Sequence, residues 1–218
     1  MNCVHLQPII GLSDVLTHSE HFKEKEKDRE ILDIIIRNAK RLLRLTEDIL
    51  DITRIESKSL DLKKEQFNLS EILQNAVSDF QNQLGKEYRS NTLSLEFIEP
   101  KNDILVEADK GRINQVVSNI LNNAIKFTDQ GKVSVMATEN EDNAIVSIKD
   151  TGSGIDPEIL SKLFTKFATK SASGTGLGLY ISKNIIDAHG GKIWAENNKD
   201  NIPGATFCVS LPCKKRTA

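Results

Sequence analysis

Apolar and polar positions in the first quarter of the chain alternate with the period of an α-helix. Residues 6–22 carry one apolar stripe and predict a first helix. A longer helix follows, with a heptad seam made of Ile35, Asn38, Leu42, Leu45, Ile49 and Ile52. A two-helix hairpin cannot bury both stripes, so we expect two copies to pair through residues 9–55 as a four-helix bundle. The alternative is a seam covered by residues 67–218 of the same chain.

The helical pattern stops after Glu56. Residues 57–66 are polar, with leucines at positions 60 and 62, and they indicate a linker that contains one short strand. This linker divides the chain into two predicted domains, a helical hairpin over residues 1–66 and a second domain over residues 67–218.

The second predicted domain mixes helical stripes with short alternating segments. Asn68 or Ser70 can cap its first helix, and Asp109 can open another. Helices are predicted at about residues 70–80, 109–127, 157–163 and 176–189, and strands at about residues 92–97, 104–106, 132–138, 144–149, 192–197 and 205–211. Because helices and strands do not alternate one by one, the pattern predicts an α+β sandwich, with helices on one face of a sheet of antiparallel strands.

Composition excludes several classes of protein. With 218 residues, of which 39% are apolar, the chain is long enough to form a core. With a net charge of −2 and 28% charged residues, nothing in the composition indicates a nucleic-acid-binding patch. No apolar run approaches the ~20 residues of a membrane span and no signal peptide is visible, so any anchor would lie upstream of residue 1. The odd count of three cysteines favours a reducing cytoplasm.

Two glycine-rich stretches carry the candidate chemistry of the second domain. In the stretch Asp150–Ile155 a lone carboxylate ends an apolar run and can accept a hydrogen bond from an exocyclic amine, while Gly152 and Gly154 allow a flat base to approach. In the stretch Gly174–Leu179 a glycine-rich turn leads into a helix, whose free N–H groups suit an anion. Each stretch alone is a common geometric feature, and their order and spacing together indicate a nucleotide pocket.

Polar residues on the helix upstream of both stretches extend this pattern. Asn119 and Asn123 are four residues apart and share one face, and Lys126 lies three residues beyond. An amide oxygen is a suitable ligand for Mg²⁺, which keeps phosphate and water oxygens in its shell, and a lysine offers a point charge to a phosphate. The alternative is that these residues are simply the polar side chains of a solvated helix face. The glycine-rich stretches downstream make this alternative less favoured than a phosphate and metal site.

These motifs resemble the catalytic core of the sensor histidine kinases, within the ATPase superfamily that includes gyrase, heat-shock chaperones and mismatch-repair ATPases. The resemblance covers nearly all of the chain. Residues 115–128 resemble the N box, Asp150–Ile155 the G1 box, Phe164–Phe167 the F box, Gly174–Leu179 the G2 box and His189–Trp194 the strand turn that follows. The F box and the preceding hairpin favour the histidine kinase branch over its cousins.

The resemblance implies a role for each matching residue. Asn123 would coordinate Mg²⁺, Asn119 would support the metal or the phosphates, and Lys126 would contact phosphate. Asp150 would bind the amine of adenine, and His189 would be structural. The glycines of the G2 box would let a lid fold over the phosphates, anchored by the two phenylalanines of the F box. The remaining ATP-binding positions are Gly152, Gly154, Ile155, Phe164, Phe167, Gly174, Thr175, Gly176, Leu177 and Gly178.

The start of the chain departs from the family. The family's H box runs roughly His-Glu-x-x-Thr-Pro-Leu-x-x-Ile-x-Gly, and aligning its tail places Val4 at the threonine and His5 at the proline. In this register the phosphoacceptor would lie before residue 1, so we expect an H box truncated at the amino terminus or a degenerate kinase. His5 could be the acceptor only with a remodelled helix start, and His18 and His21 are weaker candidates.

Two functions follow from the resemblance. The first is the core of a two-component sensor histidine kinase, which binds Mg-ATP and transfers the γ-phosphate to a histidine and on to an aspartate of a response-regulator receiver domain. The second is a catalytically incomplete, dimeric ATP-binding scaffold that engages a response regulator. A serine kinase or free ATPase is disfavoured, because ATP-hydrolysing cousins usually carry a glutamate base where this chain has Asn119.

Overall fold

The computed structural model describes residues 26–86, 92–140, 142–169, 174–199 and 202–213. The predicted first helix lies outside the described residues, as do His5, His18 and His21. The chain divides into two compact units, Met1–Ser59 and Leu60–Ala218, and the boundary along the sequence falls within the predicted linker. Among the described helices, none combines the length and the apolar character needed to cross a membrane.

The described part of the first unit is one long helix, α1 (Glu26–Glu56), which contains the whole predicted heptad seam. Large apolar side chains of this seam are exposed in the single chain, with 52% of Leu42 and 55% of Ile49 accessible to solvent. The polar interruption at Asn38 is satisfied along its own helix, because Nδ2 donates to the carbonyl oxygen of Ile34 at 2.9 Å.

The second unit has the predicted α+β architecture. The predicted helix at 157–163 is shorter than expected, and the linker strand forms only at the end of the linker. The strands are β1 (Glu65–Asn68), β2 (Leu93–Ile98), β3 (Leu105–Ala108), β4 (Gly131–Glu139), β5 (Asn143–Asp150), β6 (Lys192–Asn197) and β7 (Ala205–Pro212), and the helices are α2 (Leu69–Lys86), α3 (Lys110–Lys126), α4 (Pro157–Leu160) and α5 (Gly178–Ala188).

Two of these helices begin at the caps that the sequence indicated. Asn68 caps α2, because its Oδ1 accepts the N–H of Ser70 at 3.0 Å. Asp109 caps α3 in the same way, with Oδ1 accepting the N–H of Arg112 at 3.0 Å. Each cap satisfies one of the backbone donors that a helix start leaves unpaired.

The main sheet has the strand order β2-β4-β5-β7-β6, and β1 pairs with β3 in a separate two-stranded sheet. The prediction of antiparallel strands is confirmed for β4–β5, β5–β7 and β6–β7 and is wrong for β2–β4, which is a parallel pair. The physical reason is the connection, since β3 and α3 form a crossover that returns the chain to the same end of the sheet. Hydrophobic alternation is the same in both pairings, so it carries no information on strand direction.

Helices cover the inward face of this sheet, and the period-two alternation of β5 decides what that face presents. Ala144, Val146 and Ile148 point inward and are nearly inaccessible to solvent. The next inward position is Asp150, the last residue of β5. The sheet therefore carries one carboxylate to the edge of an otherwise apolar layer.

Candidate functional site

The candidate site is built around this carboxylate. Asp150 is 3% exposed. Its Oδ1 accepts hydrogen bonds from the N–H of Gly152 at 2.9 Å and from the N–H of Ala205 at 3.2 Å. Its Oδ2 accepts no hydrogen bond from the residues that the structure describes. One oxygen is thus fixed by the protein, and the other is left for a ligand.

The electrostatics of Asp150 agree with a binding role. Burial raises the pKa of this carboxyl above its usual value, while the two backbone hydrogen bonds oppose that shift. A buried carboxylate costs stability unless its acceptors are paired. A ligand that donates a hydrogen bond to Oδ2 would offset part of this cost, and such perturbed groups concentrate at functional sites.

The loop after Asp150 lies directly on the carboxyl-terminal end of α3. A Cβ atom on Gly152 would overlap the carbonyl oxygen of Phe127 and lie 2.8 Å from Oγ1 of Thr128. The N–H of Ser153 donates to the same Phe127 carbonyl at 3.2 Å. Because only glycine permits this approach, the structure joins the predicted base-binding loop to the helix that carries the predicted phosphate ligands.

Two asparagines at the end of β6, neither of them predicted from the sequence, hold this loop. Asn197 clasps Ile155, accepting from its N–H at 2.6 Å and donating to its carbonyl oxygen at 2.8 Å. Gly154 packs against the same amide, since its Cβ would lie 2.9 Å from Oδ1 of Asn197. Asn198 donates to the main-chain carbonyl of Asp150 at 2.8 Å, across 48 residues of sequence. In the sequence these residues appear only as an adjacent asparagine pair at the end of a strand. Such a pair alone does not indicate a role in a binding site.

Asn119 is directed towards α5 rather than towards solvent. Its Nδ2 lies 3.3 Å from the carbonyl oxygen of Gly178 and 3.4 Å from the hydroxyl oxygen of Ser182. Gly178 opens α5, and a Cβ there would lie 3.4 Å from Cγ of Asn119, so the flat amide rests on the helix start. The N box and the G2 box therefore meet through this side chain.

Asn123 and Lys126 follow along α3 in the spacing that the sequence predicted. The side-chain amide of Asn123 is half-buried and makes no hydrogen bond to the described residues. Lys126 is exposed, with Nζ 5.6 Å from the centroid of the Phe127 ring. An amide oxygen and an ammonium group thus lie one helical turn apart beyond Asn119.

The F box and the G2 box touch through their main chains. Phe167 donates from N–H to the carbonyl oxygen of Gly176 at 3.0 Å, and a Cβ on Gly176 would lie 2.6 Å from the carbonyl carbon of Phe167. Phe167 has a φ of 63°, an uncommon conformation for a bulky residue. Phe167 is 70% exposed and makes this contact with Gly176 through its main chain, whereas Phe164 is half-buried.

The approach to α5 contains the other predicted G2 residues. Gly174 and Thr175 are half-buried, and Oγ1 of Thr175 accepts the N–H of Leu177 at 3.2 Å. Leu177 is 4% exposed and precedes the first residue of α5. Residues 170–173, between the F box and the G2 box, lie outside the described residues.

His189 has the structural surroundings that the sequence analysis expected. Its Nδ1 lies 2.8 Å from the carbonyl oxygen of Ile185, which can only accept, so Nδ1 carries the proton. Nε2 then accepts the N–H of Asp109 at 2.9 Å. Burial lowers the pKa of His189, which favours this neutral form. The ring ties the end of α5 to the start of α3.

Two family models match the chain over these same regions. Residues 108–215 match the family described as histidine kinase-, DNA gyrase B-, and HSP90-like ATPase, and residues 6–58 match the His Kinase A (phospho-acceptor) domain. The first match contains every described residue of the candidate site, and the second contains α1. The chain belongs to the sensor histidine kinases.

Curated sensor histidine kinases align with most of this chain. The sensor histidine kinase WalK of Bacillus subtilis is 31% identical over 89% of the chain and 32% of its own length. The sensor protein KdpD of Clostridium acetobutylicum is 32% identical over 94% of the chain and 23% of its own length. The chain therefore spans about a third or less of these histidine kinases.

Solved histidine kinase structures share the fold. Full-length ShkA in complex with AMPPNP superimposes with a TM-score of 0.73 at 24% identity, over 98% of this chain and 44% of that chain. Histidine kinase ThkA in complex with the response regulator protein TrrA gives a TM-score of 0.66 at 29% identity, over 97% of this chain and 59% of that chain. The predicted histidine kinase architecture is thereby confirmed.

Proposed function

We propose that this chain binds Mg-ATP between β5, α3 and α5, transfers the γ-phosphate to a histidine, and passes it to an aspartate of a response-regulator receiver domain. The observation that carries the proposal is the buried Asp150 with one oxygen left for a ligand. We also propose that residues 1–66 form the dimerising, phosphoacceptor-type hairpin with its linker and residues 67–218 form the ATP-binding domain.

The base would bind at the end of β5. Oδ2 of Asp150 would accept a hydrogen bond from the exocyclic amine of adenine. At the corresponding position guanine carries a carbonyl oxygen, which has no hydrogen to donate to Oδ2. We therefore expect ATP to bind more tightly than GTP. Gly152, Gly154 and Ile155 would form the wall of the base pocket, held in place by the clasp of Asn197.

The phosphates would lie along the polar side of α3. Asn123 would hold Mg²⁺ through its amide oxygen, beside phosphate and water oxygens, which is a donor set that this ion prefers. Asn119 would support the metal or the phosphates, and Lys126 would contact a phosphate. When bound, Mg²⁺ neutralises the charge that phosphoryl transfer spreads over the phosphate oxygens. Residues 174–178 would cover the phosphates, with Phe164 and Phe167 at the base of that cover.

The hairpin would dimerise through residues 9–55. Leu42 and Ile49 are each more than half exposed on the seam of α1. An apolar seam of this kind, with its polar interruption at Asn38, is stable in water only when another surface covers it, and the same heptad seam of a second copy is a matching surface.

The proposed partner follows from a structurally similar histidine kinase. ThkA forms a complex with the response regulator TrrA, which supports a receiver domain as the partner of this chain. The second candidate function is a dimeric ATP-binding scaffold that engages the regulator without catalysis. Because ATP is the proposed ligand, we place this chain in the cytoplasm, with any membrane anchor upstream of it.

Calorimetric titration with Mg-ATP tests the nucleotide site. We expect Asp150→Asn to bind at least about tenfold more weakly, since a hydrogen bond to a charged group contributes about 1.5–3 kcal/mol. Asp142→Asn is the matched control, because Asp142 is an exposed carboxylate before β5, and it should bind as the wild type does. A wild-type chain that binds no Mg-ATP, or an Asp150→Asn variant of unchanged affinity, would overturn this site.

Phosphoryl transfer needs a separate measurement. The chain is incubated with Mg-ATP labelled at the γ-phosphate and examined for acid-labile, base-stable label. Label that His5→Ala removes would assign His5 as the acceptor. Binding of Mg-ATP with no label, either on the chain or on a receiver domain added to it, would favour the scaffold function.

A further inference from the structure

Ser182 is a buried serine of α5 whose hydroxyl lies beside the side chain of Asn119. The residue is inaccessible to solvent, with a relative exposure of 0%. Its Oγ lies 2.8 Å from the carbonyl oxygen of Gly178, one turn earlier in the same helix. A carbonyl oxygen can only accept, so the single hydrogen of the Ser182 hydroxyl is used in this bond. Towards any other neighbour the hydroxyl can therefore act only as an acceptor.

That acceptor role determines how the amide of Asn119 is turned. The amide nitrogen lies 3.4 Å from Oγ of Ser182 and 3.3 Å from the carbonyl oxygen of Gly178. Both neighbours present acceptors, so the donor end of the amide has to face α5. The Oδ1 atom of Asn119 then points away from these two acceptors and accepts no hydrogen bond from the described residues.

The direction of this amide matters for its proposed role. The oxygen and nitrogen ends of an asparagine are nearly equal in size, so sterics alone do not choose between them. Only the oxygen end can bind a metal ion or accept a hydrogen bond from its water shell. An amide turned by half a rotation would present a donor instead, which cannot bind Mg²⁺.

We propose that Ser182 is a positioning residue that holds the amide of Asn119 with Oδ1 towards the phosphate and Mg²⁺ end of the nucleotide. This inference rests on the proposed function and names a residue outside the N box that acts on it. Ser182 contacts neither the nucleotide nor the metal in this proposal, and its effect passes through Asn119.

The test is nucleotide affinity of Ser182→Ala, measured by calorimetry with Mg-AMPPNP and with AMPPNP in EDTA. We expect the Mg²⁺-dependent gain in affinity to fall by about fivefold, the equivalent of one neutral hydrogen bond, and the affinity in EDTA to stay within about twofold of wild type. Ser210→Ala is the matched control, because Ser210 is a buried serine whose hydroxyl accepts the Lys192 main-chain N–H. Ser210 lies near the carboxyl-terminal end of β7, whereas Ala205 at the other end of this strand contacts Asp150. The control variant should bind as the wild type does under both conditions.

A double-mutant cycle separates positioning from simple packing. In an Asn119→Ala background the Ser182→Ala change should cause no further loss of Mg²⁺-dependent affinity, because its proposed target is gone. In nucleotide-free protein the side-chain NH₂ resonances of Asn119, assigned by their loss in Asn119→Ala, should shift in Ser182→Ala and not in Ser210→Ala. The Ser182→Cys variant nearly keeps the side-chain volume. Because a thiol is a weak acceptor, this variant should show most of the same fall in the Mg²⁺-dependent gain in affinity.

The outcomes are distinct. Equal losses with and without Mg²⁺, or a further loss in the Asn119→Ala background, would show a packing role and overturn the proposal. Unchanged NH₂ resonances would overturn it as well. A failure of the proposed function has a different signature, since the wild-type chain would then bind no AMPPNP under either condition.

Discussion

Gly204 lies directly against the main chain of Asp150, and replacing it with alanine tests whether this support determines nucleotide affinity. The φ of Gly204 is 100°, a conformation that residues with side chains rarely adopt. A Cβ at this position would overlap the main-chain carbonyl oxygen of Asp150 and lie 2.8 Å from its Oδ1. Alanine therefore combines backbone strain with a collision at the candidate binding group.

The magnitude follows from these two parts. Backbone strain of this kind costs about 1–3 kcal/mol. Relieving the overlap requires a main-chain shift of about 1 Å at Asp150, towards ordinary van der Waals separation. Such a shift breaks the 3.2 Å hydrogen bond from the N–H of Ala205 to Oδ1, and a hydrogen bond to a charged group contributes about 1.5–3 kcal/mol. We expect Gly204→Ala to lower the free energy of unfolding by about 2.5–6 kcal/mol and to weaken Mg-ATP binding at least about tenfold.

Gly190→Ala separates strain from the collision. Gly190 also has a positive φ, 75°, but the nearest atom to its added Cβ is Cγ of Pro212 at 3.8 Å. This control should lose only about 1–2 kcal/mol of stability and keep wild-type affinity. Unfolding is measured by chemical denaturation, and affinity by calorimetry at a temperature where both variants are folded. If folded Gly204→Ala binds Mg-ATP as tightly as Gly190→Ala, the reasoning is refuted.

Three further predictions concern charge and association. Burial raises the folded-state pKa of Asp150, so the stability that its neutral form contributes is lost as pH rises through that pKa. Asp150→Asn should therefore raise the melting temperature of the nucleotide-free protein at about pH 7. A lower melting temperature would contradict this. Burial lowers the folded-state pKa of His189, so the stability contributed by its neutral ring is fully present above about pH 6.5 and is lost as pH falls further. The melting temperatures at about pH 7.5 and pH 5.5 should therefore differ less in His189→Gln than in wild type. An equal difference in both proteins would count against this prediction. Ile49→Lys should convert the proposed dimer to monomer in light scattering, whereas Glu47→Lys, on the opposite side of α1, should remain dimeric.

Local patterns in the sequence predicted most of the fold. The period of 3.6 residues identified α1 and α3, alternation identified β4 and β5, and polar residues at helix starts identified the caps at Asn68 and Asp109. These features depend on residues within one or two turns of each other, so a single stretch of sequence contains all of the information. Asp150 was predicted for the same reason, as the last inward position of an alternating strand.

The supporting residues of the site were decided only by the tertiary structure. Asn198 reaches the main chain of Asp150 across 48 residues, and Asn119 reaches Ser182 across 63. Only the tertiary structure decided two further features. These are the parallel pairing of β2 with β4 and the main-chain contact between Phe167 and Gly176. An isolated asparagine, serine or phenylalanine has many uses, and its partner is chosen when helices pack on the sheet.

The sequence by itself determined the order of helices and strands, the four ATPase boxes and the carboxylate at their centre. The tertiary structure decided which end of the Asn119 amide faces α5, which asparagine clasps Ile155, and why Gly204 has no side chain. Hydrophobic periodicity is a one-dimensional signal that survives in a linear chain. Hydrogen-bond direction and close approach are properties of pairs of groups, and these pairs exist only after the chain has folded.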